Sequence, residues 1–150
     1  MTRIFVDANI FFAAVASRIG GSYYILELAK RKKIEIVTVL HALAEAERNI
    51  EKKLGIAALK NHYDNILAIQ PIIQSLIGLL PDFEKTLIEF VPEKDIPILA
   101  GVLESGVEIL ITLDQAHFLK NIKLRDKFPR LKIVTPGDFL REFLSHFEKD

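Results

Sequence analysis

Residues 94–114 read KDIPILAGVLESGVEILITLD. Ile96 to Val102 are almost wholly apolar, and Pro97 stands where the first turn of a helix tolerates a missing N–H. A helix is therefore predicted from Ile96, with Asp95 as its cap. Gly106 ends it. EILIT (108–112) follows as a nearly unbroken apolar run, the pattern of a strand buried on both faces. The stretch thus holds a buried helix leading into a central strand, with an acid at each end: Asp95 and Asp114.

The same alternation extends in both directions. RIFV (3–6) reads as a strand, followed at once by Asp7 and then by the apolar residues from Ile10 to Val15. SYYILELAKRKK (22–33) has helical spacing, with Ser22 as its predicted cap. IEIVTV (34–39) is a second strand, and LHALAEAERNIEKKL (40–54) a helix ended by Gly55. Residues 56–80 are apolar at mostly helical spacing, divided or kinked at Pro71. TLIEFV (86–91) is expected as a third strand. AHFLKNIKLRDKF (116–128) is helical at least in part, KIVT (132–135) is the last strand, and PGDFLREFLSHFEK (136–149) the last helix.

Strands separated by helices require crossover connections. The predicted fold class is α/β: a three-layer α/β/α sandwich around a mostly parallel sheet of about five strands. A chain of 150 residues with half of them hydrophobic is expected to form one domain spanning 1–150. Twenty basic and twenty acidic side chains cancel, which argues against indiscriminate coating of nucleic acid but leaves room for a local basic patch. The chain has no cysteine, so disulfides, thiolate zinc sites and a cysteine nucleophile are excluded. No apolar run reaches the roughly 18 residues of a membrane span. Asp7 interrupts the N-terminal apolar segment and makes it a poor secretory signal. The expected location is the cytoplasm, with no membrane partner.

In a parallel sheet the binding crevice lies beyond the carboxyl ends of the strands. Asp7 follows the first strand and Asp114 follows EILIT after one Leu, so both are expected at that rim. Asp95 opens the helix feeding EILIT, and Glu45 lies about two turns into the helix after the second strand. Four carboxylates gathered together would repel one another. A hard divalent cation resolves the repulsion, and Mg²⁺ takes carboxylate oxygens while keeping waters that a phosphate oxygen can replace. Such an ion could activate water and stabilise the charge of phosphodiester cleavage.

Over the whole chain, the sequence resembles the PIN-domain ribonuclease family. The resemblance rests on FVDANIF (5–11), TVLHALAEAERNI (38–50), KDIPILAGVLESGVEILITLD (94–114) and IVTPGDFL (133–140). It implies an α/β/α sandwich whose acidic cluster holds Mg²⁺ or Mn²⁺ and hydrolyses RNA. By position, Asp7, Glu45, Asp95 and Asp114 look like the first to fourth family acids, which would be both catalytic and metal-binding. Asn9 stands where many members carry a polar support for the first acid. Small single-domain members look like toxins of VapC-type toxin–antitoxin pairs, which implies a homodimer and an antitoxin partner whose tail plugs the acidic groove. Many members also carry an acid three residues after the fourth; here that position is His117, so a second metal site would lack that ligand.

Several of these residues have plainer readings. Asp7, Asp95 and Asp114 could each cap a helix. Glu45 could be a solvated charge. Glu47, roughly 200° around the helix, is the alternative acid; Glu45 is preferred because Leu43 and Ile50 suit a buried seam beside it. Thr112 could line the rim, though a strand Thr is more often structural. His41, His62, His117 and His146 have no metal-ligand spacing, and surface packing is the expected role of His117. KRKK (30–33) reads as a solvated helix end. KNIKLRDKFPRLK (120–132) is the predicted RNA-facing patch, with Lys120, Lys123, Arg125 and Lys127 as its contacts. The apolar region from Ile56 to Leu80 is the candidate dimer face. Two other functions compete: an inactive PIN-fold adaptor binding RNA or protein, and an aspartyl phosphotransfer domain. The phosphotransfer reading ranks last because Asn9 replaces the second Asp that haloacid dehalogenase phosphatases need, and no Lys follows KIVT as receiver domains require.

Overall fold

A computed structural model of the chain describes residues 1–76 and 81–148. The first half runs β1 (Thr2–Val6), α1 (Ala8–Ala16), α2 (Gly21–Lys30), β2 (Ile34–Thr38), α3 (Leu40–Leu54), α4 (Ile56–Ile69) and β3 (Ile72–Ile73). The second runs α5 (Pro81–Leu87), α6 (Ile96–Ser105), β4 (Ile109–Ile111), α7 (Ile122–Lys127), β5 (Lys132–Val134) and α8 (Pro136–Glu148). A 3₁₀ turn (Glu93–Asp95) leads into α6, and a π-helical turn (Gln115–Leu119) precedes α7.

The five strands form one all-parallel sheet in the order β3-β2-β1-β4-β5, flanked by helices as expected. The chain builds outward from β1 to β3, then returns to the other side of β1 for β4 and β5. The order therefore reverses between β1 and β4, where Phe5 pairs with Leu110 and Val6 with Ile111. A crevice opens at such a switch point, beyond the carboxyl ends of the two strands. Residues Asp7 and Thr112 follow directly on those ends.

The core explains why these segments adopt these forms. Ile4, Phe5, Val6, Leu110 and Ile111 are fully buried, as strands covered on both faces must be. In α6, Ile98, Leu99, Ala100 and Val102 are buried as well. Gly101 lets this helix lie close on the sheet: a Cβ there would stand 2.6 Å from Val39 Cγ1 and 2.9 Å from Phe5 Cζ. Thr38 closes β2 by donating its hydroxyl to the Val6 carbonyl at 2.9 Å, which ties the ends of β2 and β1 together.

Two expectations are corrected. Thr86–Val91 is not a strand: Thr86 and Leu87 end α5 and the chain then turns. The buried residues there are Leu87 and Val91, four apart, which is helical-turn spacing rather than alternation. The third strand is instead Ile72–Ile73, beside β2. It follows the division at Pro71, where Gln70 closes α4 in the left-handed region at φ 52°. Ser22 does not cap α2, because the cap position is Gly20 and Ser22 is a buried residue inside the helix. Of the region proposed as a dimer face, residues 77–80 lie outside the described residues.

Candidate functional site

Asp7 sits at the N-cap of α1, only 6% exposed. Both of its oxygens are held. Oδ1 accepts the Ala8 N–H at 2.7 Å, and Oδ2 accepts the Thr112 hydroxyl at 2.8 Å and the Asn9 amide at 3.4 Å. Burial raises the Asp7 carboxyl from its usual 3.8 to about 6; the Thr112 and Ala8 hydrogen bonds oppose the rise, and the charges of Glu45 and Asp95 add to it.

Asn9 and Thr112 tie the two strand ends together. The Asn9 amide also donates to Thr112 Oγ1 at 3.3 Å, and its carbonyl accepts the Leu113 N–H at 3.1 Å. Thr112 Oγ1 in turn accepts the Asp114 N–H at 3.1 Å. The loop after β4 is thereby fixed against Asp7. Asp114 caps the π-helical turn, its Oδ1 accepting the His117 N–H at 3.0 Å. That leaves Oδ2 facing the His117 ring, 3.1 Å from Nδ1.

The plain capping reading does not account for Asp95. It occupies the cap position of α6, yet its side chain accepts no N–H of that helix. Its Oδ2 lies 2.8 Å from His117 Nδ1 instead. Both atoms are buried, and despite this closeness neither makes a directed hydrogen bond. Burial raises the Asp95 carboxyl above its ordinary value; His117 and Lys94 oppose the rise, while Asp114 and Glu45 add to it. The ligand atoms of Asp95, Asp114 and His117 all lie within 4.8 Å of one another.

Glu45 and Glu47 part company. The charge of Glu45 reaches both Asp7 and Asp95. Glu47 instead accepts the Tyr63 hydroxyl of α4 and faces His62. The rim therefore gathers Asp7, Glu45, Asp95 and Asp114 from four segments, with Asn9 and Thr112 between them.

His117 does not merely pack at the surface, contrary to expectation. It stands between two carboxylates, because one turn carries its ring back over Asp114. The spacing Asp114-x-x-His117 was the available signal, since residues three apart share a face of a helical turn.

The four predicted basic contacts have different partners. Arg125 donates Nε to the Leu119 carbonyl and Nη2 to the Ile133 carbonyl, so it fastens the loop to β5. Lys123 lies over the Phe90 ring, 5.3 Å from its centroid. Lys127 lines a cleft with Gly106, Val107 and Glu108, at the amino end of β4 and away from the acidic rim. Lys120 alone of the four closes the turn that carries His117.

No protein-family model and no curated protein matches the chain. Among solved structures, it is similar to a chain in the crystal structure of VapBC2 from Rickettsia felis bound to a DNA fragment from their promoter. The TM-score is 0.63 at 18% identity, over 89% of this chain and 98% of that chain. The fold is PIN-like. A PIN-like sheet explains why the acids cluster where they do: its switch point lies between β1 and β4, and the two strand ends deliver Asp7 and Asp114 there. Among the described residues, no helix of this PIN-like chain is long and apolar enough to cross a membrane.

Proposed function

We propose that the chain is a metal-dependent endoribonuclease acting on RNA phosphodiester bonds, and the toxin of a type II toxin–antitoxin pair. The observation that carries this reading is the meeting of Asp95 Oδ2, Asp114 Oδ2 and His117 Nδ1 at the carboxyl rim, with Asp7 and Glu45 beside them. Two carboxylates gathered within 4.8 Å of each other in partial burial call for a cation. The donor set suits Mg²⁺ or Mn²⁺, since carboxylates dominate it and the Asp95, Asp114 and His117 side chains remain partly exposed. Asp95 and Asp114 would hold the ion, with Glu45 and Asp7 close by.

Such an ion supplies a polarised water or hydroxide and stabilises charge on the phosphate oxygens. The protein's own share is positioning. Thr112, Asn9 and the Ala8 N–H hold Asp7 by both oxygens, so its carboxylate does not need to reorganise when an ion and a phosphate arrive. Asp114 spends one oxygen on the turn and presents the other to the rim. Glu45, on α3, is close enough for its charge to act on Asp7 and Asp95, and it would accept a proton from water.

The similarity to VapBC2, a complex on promoter DNA, supports an antitoxin protein as partner. A homodimer belongs to the same reading, with exposed Ile56 and Leu67 of α4 as its face. The cytoplasm is the expected location. The purified chain, stripped of metal and supplied with Mg²⁺ or Mn²⁺, should cut single-stranded RNA and stop with EDTA. Asp95→Ala should abolish cutting and metal binding while the chain stays folded. RNA left intact under every metal condition would favour the adaptor reading instead.

A further inference from the structure

We infer that His117 Nδ1 is itself a ligand of the ion held by Asp95 and Asp114, making this a mixed nitrogen–oxygen site that prefers Mn²⁺ to Mg²⁺. The inference deepens the proposed function and takes from it only the presence of an ion.

The spacing supports it. Ligands bound at roughly 2.1 Å in adjacent octahedral positions lie roughly 3.0 Å apart, whereas tetrahedral ligands at that distance lie roughly 3.4 Å apart. Nδ1 stands 2.8 Å from Asp95 Oδ2 and 3.1 Å from Asp114 Oδ2. Both values fit the octahedral spacing, and the third pair, Asp95 with Asp114, lies within 4.8 Å. An ion pair alone would also bring the atoms close. Yet Nδ1 and Asp95 Oδ2 are buried and, though 2.8 Å apart, make no directed hydrogen bond to each other or to any other group, so each still has a lone pair to offer an ion.

The local chain holds the ring in place. Asp114 Oδ1 accepts the His117 N–H, and the His117 carbonyl accepts the Asn121 amide at 2.9 Å. Asn121 also donates to the Phe90 carbonyl at 2.7 Å, which anchors this turn to the segment leading into Asp95. Both sides of the cluster are thus fixed to each other before any ion arrives.

Chemistry then sets the preference. Mg²⁺ is hard and takes oxygen ligands, while imidazole suits the later divalent metals. Mn²⁺ accepts both kinds in octahedral geometry.

The test is pulsed electron paramagnetic resonance on the metal-stripped full chain reloaded with Mn²⁺. The wild-type spectrum should show hyperfine coupling to a directly bound nitrogen, and His117→Ala should lose it. Mn²⁺ affinity by calorimetry should fall by about tenfold or more in His117→Ala, since even partners that only orient a ligand are worth 10–100-fold. His117→Asp should shift the preference toward Mg²⁺. Bound Mn²⁺ without nitrogen coupling would overturn the inference, even if RNA is cut and the nuclease reading stands. Nitrogen coupling without RNA cutting would uphold the inference and overturn the nuclease reading. If the wild type binds no Mn²⁺, both fail.

Discussion

The Thr112 hydroxyl donates to Asp7 Oδ2 at 2.8 Å, across the seam where the order of the sheet reverses. Thr112 Oγ1 also accepts the N–H of Asp114 at 3.1 Å. One side chain therefore fixes two of the rim acids against each other.

Replacing that hydroxyl should be costly. Thr112→Val keeps the shape but leaves a buried carboxylate oxygen and the Asp114 N–H short of a partner. An unmet buried group costs about 1–3 kcal/mol. Urea denaturation should show a loss of that order, and Thr112→Ser should recover most of it. Because the Thr112 bond holds the Asp7 carboxyl down, the Val variant should also raise Asp7 further, read by carboxyl NMR titration. An unchanged titration would mean that the bond does not govern Asp7.

Asp7 should burden the metal-free protein. Its folded value, about 6, lies above its ordinary 3.8, so the folded state holds the proton more tightly. Stability should therefore fall as pH rises through that interval and stay low above it. The full difference corresponds to roughly 3 kcal/mol. Asp7→Asn keeps an acceptor for the Ala8 N–H and removes the charge. It should raise the melting temperature of the metal-free protein at pH 7.5 and flatten that slope. Added Mn²⁺ should stabilise the wild type more than the variant, because binding only to the folded state adds about RT ln(1 + [L]/Kd). A variant less stable than the metal-free wild type at pH 7.5 would contradict the burial argument.

His62 should act in the opposite direction. It is 2% exposed, its ring meets Phe11 edge-on at 5.9 Å, and its Nδ1 has no hydrogen bond. Burial lowers its value below the usual 6.5, with Glu47 partly opposing. The unfolded chain then binds the proton more readily than the folded one. Stability should be full above about pH 6.5 and decline as pH falls below it. Asp7→Asn removes the competing trend, so acid titration of melting temperature is best read in that background. There, adding His62→Phe should weaken the decline. An equal decline with and without His62 would assign it to other groups.

Much of this molecule is legible in its sequence, for identifiable reasons. Strands β1, β2, β4 and β5 are apolar runs between helical patterns, and Ile4 to Val6 and Ile109 to Ile111 show it plainly. Strand β3 is two residues long and carries no periodic signal. Thr86–Val91 looks like a strand by composition, but Leu87 and Val91 turn inward together, and composition does not show which residues do so. The positions of Asp7 and Asp114 follow from strand ends. The Asp114-x-x-His117 spacing allows the ring to return over Asp114, but the π-helical turn that carries it there is a tertiary outcome that spacing alone does not fix. Within the basic run, Arg125 donates to two backbone carbonyls, an engagement that residue type alone does not show.

Glu45 and Glu47 offer the sharpest separation, being two residues apart on α3 with different neighbours. Glu45 acts on Asp7 and Asp95, whereas Glu47 is engaged by Tyr63. Glu45→Gln keeps the size and removes one negative charge from the rim. It should lower the Asp7 and Asp95 carboxyls toward their ordinary values, weaken Mn²⁺ binding, and reduce RNA cutting by about 10²-fold or more if Glu45 takes the proton from water. Glu47→Gln should leave metal affinity and cutting near wild type, and should let the Tyr63 hydroxyl ionise more readily, because the Glu47 bond is what raises it. Metal titration and tyrosine absorbance, followed side by side in the two variants, read both effects. If Glu47→Gln weakens Mn²⁺ binding as much as Glu45→Gln does, the rim is drawn wrongly along α3, and the second acid must be reassigned.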